Sequence, residues 1–206
     1  MINNIHPVLS AIRERKLNRS MPNQRNDTYK IGLVIEGGAM RSVVSAGMVT
    51  GLEYLGLLEC FDVLYGTSGG AFNGAYFLAG QAPYGTTIYY ENINNKHFID
   101  LNRIFSSQPV VSIDYLVDHV CQHEKILRCD RIIDSVIPLK MMLTSVSTGN
   151  GVLIDQYDGF EDVLTGLKAS ARMPLLAGAA VPIGDDYYLD GGLAQSIPFE
   201  SAQKEG

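Results

Sequence analysis

Two short apolar runs in the first eighty residues each stop at glycines and give way at once to a helical pattern. "YKIGLVIEGG" (29–38) is apolar and β-branched up to Glu36-Gly37-Gly38, as a buried strand would be. "VVSAGMVTGLEYLGLLE" (43–59) follows with Val44, Met48, Leu52 and Leu55 at helical spacing. "FDVLYG" (61–66) reads as a second buried strand and "GAFNGAYFLAGQ" (70–81) as a second helix. The small residues of that helix permit close packing on a sheet. Strand, glycine turn, helix, twice in succession, points to an α/β fold with a mostly parallel central sheet and helices on both faces.

The pattern continues less regularly. Residues 82–135 are mixed in polarity and predict a cap or insertion. "LKMMLTSVSTG" (139–149) predicts a third strand, and "NG" (150–151) a turn before "VLI". "GFEDVLTGLKASARMP" (159–174) predicts a helix ending near Pro174, and "DDYYLDGG" (185–192) a short strand that stops at Asp190. With 206 residues, 46% of them hydrophobic, the chain can bury one sizeable core. The expected organisation is a basic N-terminal extension over 1–30 and an α/β domain over 31–206.

Net charge is −6, spread unevenly: residues 1–30 carry +4 and the remainder −10. That balance argues against nucleic acid as a partner. The basic lead segment reads as a solvated extension, with contact to an anionic lipid surface as the alternative. Cys60, Cys121 and Cys129 are odd in number and without motif spacing, which predicts free thiols in a cytoplasmic protein. The N-terminal thirty residues hold no apolar stretch of the signal-peptide kind, and no run approaches the roughly 18 apolar residues of a spanning helix.

Three places carry residues suited to chemistry. Gly66-Thr67-Ser68-Gly69-Gly70 fits G-x-S-x-G between a strand and a helix, where a tight turn would expose the Ser68 hydroxyl at the carboxyl end of the sheet. The same serine could instead simply cap the helix. Glu36-Gly37-Gly38-Ala39-Met40-Arg41 follows the first strand, and its backbone N–H groups could bind an anion or oxyanion. It has the spacing of neither a Rossmann loop nor a P-loop. Asp190-Gly191-Gly192 puts a carboxylate at a third strand end. An unassisted serine hydroxyl is a weak nucleophile and needs a base. No histidine follows Asp190, so the Ser…Asp…His order of the α/β-hydrolases fails. His119 and His123 lie four apart without the Glu of H-E-x-x-H, and no metal site is expected there. Asp190 is the better placed base.

"EGGAMRS", "GTSGG" and "DGG", in this order, resemble the patatin-like phospholipase family, and "SAGMVTGLEYLGLL", "ASARMPLL" and "YYLDGGLAQSIP" fit it as well. The resemblance spans roughly residues 31–199. It implies a three-layer α/β/α fold and a hydrolase of fatty acyl esters working through a Ser–Asp dyad, with no metal or cofactor. Carried over, Ser68 is the nucleophile and Asp190 the base. Gly37, Gly38 and Ala39 form the oxyanion loop, Gly66 and Gly70 frame the elbow, and Arg41 supports the loop or meets a phosphate. The implied partner is a lipid or fatty acyl ester, met at the periphery of a membrane.

Two departures stand out. The family's loop is usually G-G-G-x-[KR]-G, whereas Ala39 and Ser42 replace its third and last glycines. A β-carbon hinders any positive φ at either place. The chain also ends fourteen residues past Gly192, where family members continue, which predicts a sheet short of edge elements. Both departures suit an alternative, a catalytically silent domain that binds lipid or protein.

Overall fold

A computed structural model describes residues 6–205. The two strand–turn–helix units form as the sequence predicts. β1 (Gly32–Ile35) leads through a short 3₁₀ turn (Ala39–Ser42) into α2 (Val43–Tyr54), and β2 (Val63–Thr67) leads directly into α3 (Gly69–Leu78). β3 (Leu139–Ser145) turns into β4 (Gly151–Ile154), α7 (Phe160–Ser170) follows, and β5 (Val181–Ile183) and β6 (Asp186–Asp190) make a hairpin.

The sheet is mixed. β1, β2 and β3 pair in parallel, while β4 and β6 both pair with β3 in antiparallel fashion. The register places β2 and β6 on the same edge of β3. Met142 pairs with Thr67 and with Leu153 of β4, and Thr144 pairs with Gly151 of β4 and with Leu189 of β6. β4 therefore occupies one edge, and β2 and β6 share the other, end to end. β2 stops opposite Met142 and β6 stops opposite Leu143.

Helices lie on both faces of the sheet. α3 and α7 cover one face, where Leu64, Leu139, Met141 and Leu167 are buried. On the other face α8 (Phe199–Lys204) ends at Glu205, which accepts from the Tyr65 hydroxyl at 2.8 Å and pairs with Lys140. The small residues of α3 allow its close approach: a β-carbon on Gly74 would stand 3.2 Å from the Ile35 side chain and 3.1 Å from that of Leu139.

The middle of the chain forms a cap of short helices, as the sequence suggests. These are α4 (Ala82–Thr86), α5 (Ile88–Glu91), a 3₁₀ turn (Leu101–Phe105), α6 (Cys129–Ile133) and a ten-residue π-helix (Tyr115–Glu124), hereafter the cap helix.

The N-terminal segment differs from the solvated extension expected. Residues 1–5 of it lie outside the described residues. The rest is docked through charge. α1 (Pro7–Leu17) carries the buried Arg15, which donates to Asp27 at 2.9 and 2.8 Å, to Asp62 at 2.7 Å and to the Cys60 carbonyl at 2.8 Å. Arg25 meets the other oxygen of Asp62 at 2.7 Å. Two of the six basic residues are thus spent inside the molecule, which weakens the case for this segment as a lipid-facing surface.

Candidate active site

Ser68 occupies the single step between β2 and α3. Its backbone is left-handed (φ 53°, ψ −126°), and its carbonyl accepts from Ala71 N at 2.9 Å, so the strand turns into a helix without a loop. A turn this tight brings helix and sheet backbones together at the flanking glycines. A β-carbon on Gly66 would lie 2.6 Å from Ala71 Cα, and one on Gly70 would run into the Ile35 carbonyl. Only glycine fits at either position. The spacing of the elbow is therefore a packing requirement, as the sequence suggested.

The Ser68 hydroxyl donates to Asp190 Oδ2 at 2.8 Å, and the Gly192 N–H donates to Asp190 Oδ1 at 2.7 Å. The carboxylate is 2% exposed and held at its backbone as well. Its N–H donates to the Arg172 carbonyl at 3.0 Å, and its carbonyl accepts from Thr144 Oγ1 at 2.8 Å. Burial pushes the Asp190 carboxyl above the ordinary aspartate value, while the Gly192 and Ser68 hydrogen bonds pull in the opposite direction. A carboxylate with a raised proton affinity, bonded to a hydroxyl, is suited to take that hydroxyl's proton.

The loop after β1 lies against the serine. A β-carbon on Gly37 would stand 3.0 Å from Ser68 Cβ. Gly38 (φ 143°) and Ala39 (φ 51°) both have positive φ, so Ala39 adopts the strained conformation its β-carbon disfavours. Ser42 does not: at φ −63° its β-carbon costs the backbone nothing, and the concern raised for that position falls away. The N–H groups of Gly38 and Ala39 have no acceptor among the described residues, whereas the Gly37 N–H donates to the Ser196 carbonyl at 3.2 Å. Of the three expected oxyanion donors, Gly37 is therefore already engaged. Arg41 lies over Gly38 and makes no ion pair among the described residues.

Ser68, Asp190, Gly37, Gly38, Ala39 and Arg41 line one cavity of about 540 Å³. Its remaining wall is largely apolar, with Phe72, Ile88, Ile93, Phe98, Leu116 and Leu176 prominent. No histidine lines it. His97 and His119 stack on either side of Tyr115 of the cap helix, His123 lies tilted against His119, the successive ring centroids are 5.3–5.9 Å apart, and His119 meets Glu124 at 3.0 Å. His6 caps α1. Among the described residues no group of three or more His, Cys, Asp or Glu side chains could hold a metal.

Two residues without a role in the sequence reading belong to this site. Ser170 Oγ accepts the Ser68 N–H at 2.9 Å, and Arg172 holds Asp190 as described. Their signal in the sequence is that both fall within "ASARMPLL", a stretch that fits the family pattern without assigning either residue a role.

Comparison with known proteins identifies what the chain is similar to. The family model of patatin-like phospholipases matches residues 33–202. The uncharacterized protein YjjU of Escherichia coli (strain K12) is 26% identical over 182 residues, covering 86% of this chain and 49% of that protein. The "Probable lipid hydrolase 463L" of Invertebrate iridescent virus 6 is 23% identical over 189 residues, covering 85% of this chain and 64% of that protein. The chain thus spans between about half and just under two thirds of the length of these relatives.

Proposed function

Given that the chain belongs to the patatin-like phospholipase family, we propose that it hydrolyses fatty acyl esters of phospholipids or related lipids, with Ser68 as nucleophile and Asp190 as base. The observation that carries this reading is the 2.8 Å hydrogen bond from Ser68 Oγ to Asp190 Oδ2 at an apolar cavity. The name of the viral relative, a lipid hydrolase, supports the same substrate class.

In this mechanism Ser68 Oγ attacks the ester carbonyl carbon while its proton passes to Asp190 Oδ2. The carbonyl oxygen becomes an oxyanion, stabilised by the N–H groups of Gly38 and Ala39. Donors of this kind are typically worth about 10²–10³ in rate each. Collapse breaks the ester C–O bond, and the departing alkoxide takes the proton from Asp190. Asp190 then accepts a proton from water as the water attacks the acyl-enzyme. The fatty acid leaves when the Ser68 C–O bond breaks, and the proton returns to Ser68. No step requires a cofactor. Arg41, unpaired among the described residues and on the cavity wall, is suited to a phosphate.

The substrate is reached at a lipid surface. No helix among the described residues is long and apolar enough to cross a membrane. Segments next in sequence to the cavity-lining Ile99 and Leu176 instead present apolar side chains to solvent, and we take them as its rim. Leu175 is 97% exposed and Phe105 92%, and Leu101 and Ile104 are exposed too. The two rim segments are joined through the Val111 N–H, which donates to the Leu176 carbonyl at 2.8 Å, and through the pairing of Val111 with Ile99. The three cysteines are free and buried, which fits the cytoplasmic location we propose.

The test is covalent labelling by a fluorophosphonate, comparing wild type with Ser68→Ala, followed by an ester series of increasing chain length. Labelling lost in the variant supports the reading. A folded wild-type chain that resists the probe would favour the alternative, a catalytically silent lipid- or protein-binding domain, to which the strained Ala39 and the engaged Gly37 N–H lend weight.

A further inference from the structure

The end of α7 touches both residues of the proposed dyad from outside the motifs that contain them. Ser170 is buried, accepts the Ser68 N–H at 2.9 Å and donates to the Met142 carbonyl at 2.8 Å. Two residues later the Arg172 carbonyl accepts the Asp190 N–H at 3.0 Å. One three-residue stretch of backbone therefore holds the nucleophile by a side chain and the base by a carbonyl. The Met142 carbonyl that anchors Ser170 belongs to the strand whose edge both β2 and β6 share.

The Arg172 side chain extends this frame to the cap. The residue is 6% exposed, and its guanidinium forks onto Asp114, Nη2 to Oδ1 at 2.6 Å and Nη1 to Oδ2 at 3.1 Å. Nη1 also donates to the Ala177 carbonyl at 2.6 Å, while Nε is buried without a partner. Burying a guanidinium costs several kcal/mol, and an unpartnered N–H adds to that cost. A residue needed only to end a helix and fill a wall could be aliphatic without this penalty. The arginine provides a connection that an aliphatic residue cannot. Asp114 stands at the start of the cap helix, whose Leu116 lines the cavity, and Ala171, Met173 and Ala177 line it from the Arg172 side.

We propose that Ser170 and Arg172 are positioning residues for acyl transfer. Ser170 fixes the backbone of Ser68, and Arg172 ties Asp190 to the cap through Asp114. Together they keep the Ser68–Asp190 pair in register while an acyl chain occupies the cavity. The proposal rests on the Ser68–Asp190 reading above. Neither side chain touches the ester, so both act through the residues they hold.

The test compares Ser170→Ala and Arg172→Met with wild type, using Ser170→Thr and Arg172→Lys as conservative partners. Thermal midpoints are measured first, and the fluorophosphonate labelling rate and kcat and KM on a short-chain ester are then measured well below the lowest of them. Misplacing reacting groups by about 1 Å costs about 10²-fold, so kcat and labelling rate should fall by that order while KM moves less than about twofold. The conservative partners should recover part of the loss. A lower midpoint with kcat and labelling rate within about twofold of wild type would reduce both residues to structural supports and overturn the proposal. Should either variant fail to fold, Asp114→Asn breaks the same link from a half-exposed carboxylate, and it should lower kcat about tenfold. An unchanged kcat in that variant also overturns the link. Failure of the underlying reading is seen elsewhere, as wild type that does not label or labelling that persists in Ser68→Ala.

Discussion

Thr67 and Asp190 end two strands that run head-on toward each other along one edge of β3, opposite the adjacent residues Met142 and Leu143. The Ser68–Asp190 hydrogen bond spans 122 residues of sequence, yet the register of a single strand sets it. This carboxylate is not carried on a loop: its backbone is held by strand pairing on one side and by the Arg172 carbonyl on the other.

Ionised Asp190 is a burden on the fold. Burial raises its carboxyl above the ordinary aspartate value, only partly offset by the Gly192 and Ser68 hydrogen bonds. A folded-state pKa above the unfolded one means the proton is bound more tightly in the fold. Stability is therefore greatest below the ordinary aspartate value, declines as pH rises through the raised one, and stays lower beyond it. Asp190→Asn should abolish turnover yet raise the thermal midpoint at neutral pH, by the about 0.5–2 kcal/mol typical of relieved active-site residues. Calorimetry of both proteins checks this, and a variant no more stable than wild type at neutral pH contradicts it.

The same shift sets the pH dependence of turnover. Asp190 must be ionised to accept the Ser68 proton, so kcat/KM should rise with pH along an acid limb centred above the ordinary aspartate value. A limb centred at or below that value would show that another group acts as base.

Ala39 and Ser42 both replace glycines of the family pattern, but their substitution should have opposite effects. Ala39 sits at φ 51°, and Ala39→Gly removes strain of about 1 kcal/mol, so the thermal midpoint should rise and turnover should at least match wild type. Ser42 sits at φ −63° where α2 begins, and Ser42→Gly should cost about 0.5–1 kcal/mol in backbone entropy. Denaturant melts of the two variants distinguish these signs, and shifts in the same direction would refute the assignment.

Leu175 is 97% exposed and also left-handed (φ 66°), two features that oppose stability. Asparagine tolerates that backbone better, so Leu175→Asn should stabilise the fold by up to about 1 kcal/mol. If the rim enters lipid, the same change, alone or with Phe105→Ser, should lower turnover of vesicle-borne substrate while leaving a soluble short ester unaffected. Equal loss on both substrates would place these side chains in the acyl site instead.

Arg15 anchors the N-terminal segment between Asp27 and Asp62. The Arg15 hydrogen bond holds the Asp27 carboxyl down at about 2. Burial works against the Asp62 carboxyl, but the Ile31 N–H, Arg15 and Arg25 outweigh it and keep that group below the ordinary value too. Depressed carboxylates stabilise above the ordinary aspartate range, and the contribution is lost as pH falls through their folded values. Arg15→Met should cost about 3 kcal/mol at neutral pH and much less in strong acid. Urea melts at the two pH values measure it; equal losses at both would count against the ion-pair account.

The short-range features were legible because their causes are local. Gly66 and Gly70 are dictated by the turn they flank, and the alternation of strand and helix follows from apolar spacing. Asp190 could be selected because a strand end before two glycines has few other uses and no histidine competes for the role. What stayed hidden depends on contacts between distant segments. Nothing near Gly37 announces that Ser196 takes its N–H, and nothing near Arg15 announces the carboxylate of Asp62. The shared edge of β3 is equally silent, since nothing in the short runs of β4 and β6 says which edge of β3 each takes, and only the register separates them. Ser170 and Arg172 sit in a stretch that fits the family, but what they do shows only once the backbone N–H groups of Ser68 and Asp190 that they accept are in place.

The head-on meeting of β2 and β6 also orders events during synthesis. The Ser68 turn, the loop after β1 and most of the cavity wall precede β6 in the chain, and Asp190 follows them on that strand. Under the proposed mechanism a nascent chain would therefore bury its apolar surface, and could even bind a lipid, before it carries the carboxylate needed to cut one.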